Sequence, residues 1–238
     1  MRIGIVSAMD SEHRQLSARL AHAAEAGGGS FRYVEGTLGA NEVVLTQCGI
    51  GKVNAAVGAC ELLRRYGPDC VLSTGVAGGI DACLRVGDVV ASAWLTYHDV
   101  WCGEGNEDGQ VQGLPARFEG DPVLLGCALA LDGAPGLESR IRAGLMCTGD
   151  RFVTSRSELE SIKARFPDGL AVDMESAALA QTCYLFDTPF LSFRIVSDTP
   201  GTDGHAQQYA DFWARLAERS FRITWAFLAA LPRRLEAR

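Results

Sequence analysis

Apolar residues along this chain fall into short runs bounded by turn residues, with helix-spaced patterns between them. The clearest runs are 2–9 (RIGIVSAM), 41–49 (NEVVLTQCG), 69–75 (DCVLSTG), 87–95 (GDVVASAWL), 142–149 (RAGLMCTG), 169–174 (GLAVDM) and 189–198 (PFLSFRIVSD). Several are apolar at consecutive positions, as in a strand covered on both faces of its sheet. Residues 52–66 carry Val53, Ala56, Val57, Cys60 and Leu63 at helical spacing, and Gly67-Pro68 stops the pattern. A second helix is predicted over 176–186, before Asp187-Thr188-Pro189. A long amphipathic one is predicted over 206–231, with Phe212, Leu216, Phe221, Ile223 and Phe227. Strands alternating with helices predict an α/β fold, a largely parallel sheet flanked by helices. The stretch 24–30 (AEAGGGS) predicts a hairpin or loop tip. Residues 101–121 form a long, polar, Gly-rich loop, a kind that is usually functional or mobile. No linker or internal repeat divides the chain, so 1–238 is expected to form one domain.

Acidic residues stand at three predicted strand ends. The first strand runs into Glu12, the strand GLAV into Asp173 and Glu175, and the strand FLSFRIVS into Asp198. In open α/β sheets ligands bind outside the carboxyl ends of the strands, so parallel strands would bring these acids to one edge. Singly, each acid has an ordinary use: a helix first turn for Glu12 and Glu175, a turn cap for Asp198. The helix after Glu175, SAALAQTCYLF, is apolar around most of its circumference, which buries its N-terminus. A buried carboxylate is costly unless paired or hydrogen-bonded. Arg194, inside an apolar strand, is an equally unusual charge and a plausible partner. Two glycine stretches follow strands. CGIGKVNAAVG (48–58) has Asn54 where a dinucleotide fingerprint needs Gly, and Thr46 and Val53 where a P-loop needs Gly and Ser/Thr. GVAGGI (75–80) permits either close backbone approach to a ligand or tight strand–helix packing.

Composition narrows the classes. The net charge of -7 disfavours a polyanionic partner such as nucleic acid. No apolar run reaches membrane-spanning length, and the first residues lack the apolar region of a signal peptide. The 8 cysteines contain no C-x-x-C pair, which points to a reducing cytoplasmic setting and no zinc site. The 4 histidines are too dispersed for a local metal motif. Among basic residues only Lys52 and Lys163 are lysine, which reads as a compositional habit.

The segments MRIGIVSAMDSE, CGIGKVNAA, STGVAGGID, VGDVV, YHDV, GDRFV, AVDMESAALA and RIVSD, in this order, resemble the 5'-methylthioadenosine/S-adenosylhomocysteine nucleosidases of the purine nucleoside phosphorylase/hydrolase family. The resemblance runs from residue 1 to about 212. It implies a three-layer α/β/α sandwich with a central mixed sheet, a homodimer, and hydrolysis of the bond between adenine and a 5'-substituted ribose. It implies no metal and no organic cofactor. Carried onto matching positions, it makes Glu12 the general base for water and Asp198 the proton donor to adenine N7, oriented by Ser197. Glu175 would grip the ribose hydroxyls, and Arg194 would position the water and Glu12. Met174 would lie against the sugar, Phe152 would stack on adenine, and the Val153 backbone would read its edge. Ala77 and Gly78 would shape the pocket, with Met9 as an apolar wall.

The chain departs from that pattern at Val76, where some relatives carry Ser, and in the loop WCGEGNEDGQVQGLPARF, which has acids at 104, 107 and 108 and Gln112 where Pro is usual. Methylthio, homocysteinyl, unsubstituted 5'-deoxy and bulkier 5' groups all stay open. So do a phosphorylase of the same fold, a futalosine-type nucleosidase and a non-catalytic nucleoside-binding protein. Acids in SAMDSE would repel the phosphate that a phosphorylase needs.

Overall fold

The computed structural model describes residues 1–27 and 31–235. The apolar runs form β1 (Arg2–Ser7), β4 (Asn41–Gln47), β5 (Cys70–Gly79), β6 (Val89–Tyr97), β8 (Ile141–Thr148), β9 (Gly169–Asp173) and β10 (Phe190–Asp198). They are joined by β2 (Ala21–Gly27), β3 (Arg32–Leu38) and the short β7 (Phe118–Glu119). Strand β2, AHAAEAG, is exposed along most of its length and so carries no buried-strand pattern. It pairs antiparallel with β3. Part of the tip expected at 24–30, residues 28–30, lies outside the described residues.

The sheet order is β10-β6-β8-β9-β5-β1-β4-β3-β2, with β7 beside β6. Strand β10 also pairs with β5, so β10, β6, β8, β9 and β5 close into a ring from which the other strands extend. The pairs β1–β4, β1–β5, β5–β10, β6–β8 and β8–β9 are parallel. The pairs β2–β3, β3–β4, β5–β9, β6–β7 and β6–β10 are antiparallel.

Helices cover both faces: α1 (Asp10–Ser17), α2 (Lys52–Tyr66), α3 (Pro122–Leu129), α4 (Arg156–Arg165), α5 (Ser176–Leu185), α6 (His205–Asp211) and α7 (Ala217–Ala230). Alternation along β10 shows the layering. Leu191, Phe193 and Ile195 share a core with Leu16 of α1, Leu124 of α3 and Phe227 of α7. Phe190 and Val196 pack instead with Ala55 and Leu62 of α2 and with Leu179 and Cys183 of α5. The Phe193 and Phe227 rings stack with centroids 4.5 Å apart. Each such side chain contributes roughly 1.5–3 kcal/mol on burial. On the α5 side β10 also carries Ser192 and Arg194, and Ser192 bonds the Ser176 hydroxyl at 2.7 Å at the start of α5.

The structure changes two expectations. The single long helix over 206–231 is α6, a π turn (Phe212–Leu216) and α7. The acids also do not arrive along one edge of parallel strands, because β9 runs antiparallel to β5. Gly78 and Gly79, at the end of β5, pair with Val172 and Ala171, near the end of β9. Opposed strand ends therefore meet head to head, and closure of the ring performs the convergence that a parallel edge would have given.

Candidate active site

Glu12 is placed by the turn that joins β1 to α1. It is the third residue of α1, and its side chain folds back over the helix start as in a capping box. Its Oε2 accepts the Ala8 and Met9 N–H groups, both at 3.0 Å. Its Oε1 accepts the Val76 N–H at 3.0 Å. The carboxylate is 1% exposed. Burial raises its pKa, opposed by the Arg194 guanidinium and the three backbone bonds. The close approach requires Gly75. That residue sits at φ 151, and a Cβ there would collide with the Glu12 carboxyl and come within 3.0 Å of Arg194 Nη1.

Arg194 pairs in register with Gly75 of β5 and is 2% exposed. It donates through Nη2 to Ser73 Oγ at 2.8 Å and to Glu175 Oε2 at 3.3 Å, and through Nη1 to the Val76 carbonyl at 3.3 Å. Its Nε lies 3.3 Å from Asp173 Oδ2, and Nη1 lies 4.0 Å from Glu12 Oε1. One guanidinium thus faces three carboxylates, which leaves the cluster rich in negative charge when all are ionised.

Glu175 stands immediately before α5. Its Oε1 accepts the Gly51 N–H at 3.0 Å. Burial lifts its pKa to about 7, opposed chiefly by Arg194. Asp173 occupies a different environment. It accepts the Thr148 hydroxyl at 2.6 Å and both the N–H and hydroxyl of Ser176. Those bonds tie β8, β9 and α5 together and spend its oxygens on structure.

Asp198 ends β10. Its Oδ1 accepts the Ser197 hydroxyl at 2.7 Å, while Oδ2 is buried with no partner among the described residues. Burial raises its pKa, with the Ser197 bond and His205 opposing. A carboxyl with one free buried oxygen and a raised pKa is suited to hold a proton and give it to a bound ring nitrogen.

These groups line one cleft. Its walls include Met9, Glu12, Ala77, Gly78, Phe152, Met174, Glu175, Arg194, Ser197 and Asp198. Val153 lines an adjoining recess with Gly78, Phe152, Met174 and Asp198. Neither the N–H nor the carbonyl of Val153 has a partner among the described residues. All eleven residues singled out in the sequence therefore lie in one place, although they come from distant segments. The sequence did not single out Ile50 or Tyr209, which also line the cleft. The Tyr209 ring meets Phe152 edge-on at 5.6 Å, and its hydroxyl reaches Met9 Sδ at 3.6 Å. Nothing in the helical pattern of 206–231 distinguishes Tyr209 as cleft-facing. A wider groove elsewhere is lined by Arg85, Arg140, Arg142 and Arg222, all exposed. It gathers no buried acid, so the acid cleft is the candidate site.

Residues 2–229 match the family model of the phosphorylase superfamily. The 5'-methylthioadenosine/S-adenosylhomocysteine nucleosidase of Tolumonas auensis is 42% identical over 205 residues, covering 85% of this chain and 88% of that protein. The crystal structure of such a nucleosidase from Colwellia psychrerythraea, in complex with adenine, superposes with a TM-score of 0.93 at 34% identity, covering 100% of this chain and 98% of that one. The enzyme from Neisseria meningitidis, in complex with methylthio-immucillin-A, gives a TM-score of 0.90 at 35% identity, covering 97% and 99%.

Proposed function

The chain belongs to the 5'-methylthioadenosine/S-adenosylhomocysteine nucleosidases of the phosphorylase superfamily, and on that premise we propose how its cleft performs the hydrolysis. The substrates are 5'-substituted adenine nucleosides, and adenine is the released base. Adenine is a poor leaving group until its ring accepts a proton. Asp198, held by Ser197, supplies that proton to N7 through its unpartnered Oδ2. The C1'–N9 bond breaks with its electron pair passing to the base. Positive charge builds on the ribose ring and is stabilised by the carboxylates around Arg194. Glu12 takes a proton from water as the water oxygen bonds to C1', and Arg194 orients both. Glu175 accepts the ribose hydroxyls. Met174 and Met9 form apolar walls, Phe152 stacks on the base, and the free Val153 backbone groups meet its edge.

The observation that carries this reading is the meeting of buried Glu12, Glu175 and Asp198 in one cleft, with one oxygen of Asp198 unused. It also favours water over phosphate as nucleophile, because a phosphate dianion would enter among three carboxylates and one guanidinium. The test is incubation with 5'-methylthioadenosine in phosphate-free buffer. Adenine accumulates if the reading is right, and a strict phosphate requirement overturns it.

The active form is a homodimer. Val53 and Val57 stand one turn apart on an exposed face of α2, with Ile50 before them, and Trp101 is 64% exposed. An apolar set of this kind suits a protein interface. No residue of 101–121 lines the cleft of its own chain, which suits a loop that serves a neighbouring one. All 8 cysteines are free, which fits a reducing cytoplasm, and no helix among the described residues is long and apolar enough to cross a membrane.

A further inference from the structure

The proposed chemistry leaves Lys52, Asp99 and Asp150 without a part, yet they are bonded together beside the turn that touches Glu175. The Gly51 N–H donates to Glu175 Oε1 at 3.0 Å. The next amide, Lys52 N–H, donates to Asp150 Oδ1 at 2.7 Å. Two successive amides of one turn are therefore fixed on different sides, one by the cleft carboxylate and one by Asp150. Asp150 is itself fixed: its N–H donates to Asp99 Oδ2 at 2.9 Å. The Lys52 ammonium donates to both Asp99 oxygens at 2.8 Å and lies 3.8 Å from Asp150 Oδ2. It also sits 5.4 Å from the centre of the Tyr97 ring. One ammonium thus ties together the turn before α2, the segment after β6 and the segment after β8.

Two further observations show how closely this cluster is fitted. Gly51 has φ 98, and a Cβ there would stand 3.0 Å from Asp150 Oδ1. In a chain that otherwise uses Arg, the two lysines both occupy tightly bonded, partly buried positions. The other, Lys163, donates to Asp81 and to the carbonyls of Pro167 and Gly169 at 2.9, 2.8 and 3.0 Å. A compact ammonium with three directed donors fits such sites, whereas a planar guanidinium fork does not. The Arg habit stops where a point charge is needed.

We infer that Asp150, clamped by Lys52 and Asp99, is a positioning residue for Glu175: it sets the turn whose Gly51 N–H holds the Glu175 carboxylate ready for the ribose hydroxyls. The inference rests on the proposed role of Glu175. That carboxylate faces Arg194 from β10, Asp173 from β9, Glu12 from α1, Cys48 from the segment after β4 and Tyr209 from α6. Arg194 and the Gly51 amide favour its ionised form; burial and the other acids oppose it. Misplacing the amide therefore moves ionisation of Glu175 to higher pH.

The test compares wild-type, D150A, D150N and K52M enzymes for adenine release from 5'-methylthioadenosine between about pH 5 and 9, with thermal unfolding as a check on folding. D150A lowers kcat/KM about tenfold, mostly through KM, as expected for a misplaced hydrogen bond to a charged group. Its acidic limb of kcat/KM moves to higher pH. D150N keeps an oxygen acceptor for the Lys52 N–H and recovers most of the loss. K52M unhooks the same turn and repeats the D150A shift, so it carries the comparison if D150A does not fold. A folded D150A enzyme with wild-type KM and an unmoved acidic limb overturns the inference, as does a D150N enzyme no better than D150A. A wild-type protein that releases no adenine overturns the proposed function, and this inference with it.

Discussion

Glu12 accepts three backbone N–H bonds and still has a raised pKa, because burial outweighs them. That balance suits a base that must be ionised before the reaction and protonated after it. E12Q keeps the size and an oxygen acceptor but cannot take the proton. It is expected to lower kcat by about 10²–10⁴ while binding of a non-hydrolysable adenosine analogue stays within a few-fold. Turnover assays and calorimetric titration separate the two effects, and unchanged turnover would remove Glu12 from the mechanism. Glu175 carries a stability consequence. Its folded pKa of about 7 lies above the ordinary 4.5, so the folded chain holds a proton that the unfolded chain releases. The associated stabilisation is complete below about pH 4.5 and is lost as pH rises through about 7. His13 and His98, whose pKa values burial lowers, act in the opposite direction in part of that window. They are common to both proteins when wild type is compared with E175Q. Between about pH 5 and 7.5 the Tm of the wild type should therefore fall relative to that of E175Q; parallel melting profiles would refute the shift.

Secondary elements fix these side chains through their ends. Helix α1 begins where Glu12 can fold back on it, and α5 begins between Asp173 and Ser192. Tyr209 of α6 reaches the cleft, while Phe212 in the π turn and Phe221 of α7 stay in the core. Elements away from the cleft should affect stability alone. Asp121 caps α3 by accepting the Val123 and Leu124 N–H groups at 3.0 and 3.1 Å, with Pro122 in the first turn. No residue of α3 lines the cleft. D121A is expected to cost about 1 kcal/mol or more, seen as a lower Tm, with kcat/KM unchanged. A matching loss of kcat/KM in the folded variant would show that α3 reaches the site after all.

At the scale of the molecule, the closed ring of strands is what makes a single cleft, and the proposed dimer would bring a neighbouring chain to it. Sedimentation should give a mass near twice the 25.4 kDa chain. V53E/V57E should give the monomer and a raised KM for 5'-methylthioadenosine, since both valines are exposed in the single chain; a wild-type monomer with full activity would exclude the dimer from function. The seven buried strands and α5 were legible in the chain because apolar periodicity reports burial locally. Helix α2 was legible as a helix, but the apolar stripe read there includes Val53 and Val57 on its exposed face, while Ala55, Ala59 and Leu62 are what it buries. So was the oddity of Glu12, Glu175, Arg194 and Asp198, since a charge inside an apolar run has few inexpensive uses. The weakly patterned β2 and β3 were not legible, nor was the part of Tyr209. Periodicity also could not tell Asp173 from Glu175, two acids two residues apart; only the family resemblance gave the ribose to Glu175. One is consumed by Thr148 and Ser176, and the other is held open by Gly51 and Arg194. By itself, the sequence determined which segments are buried and which charges are out of place there. The tertiary structure alone decided which of those charges meet, which keep a free oxygen and which are clamped, because partner choice follows from strand register and sheet closure between residues far apart in the chain.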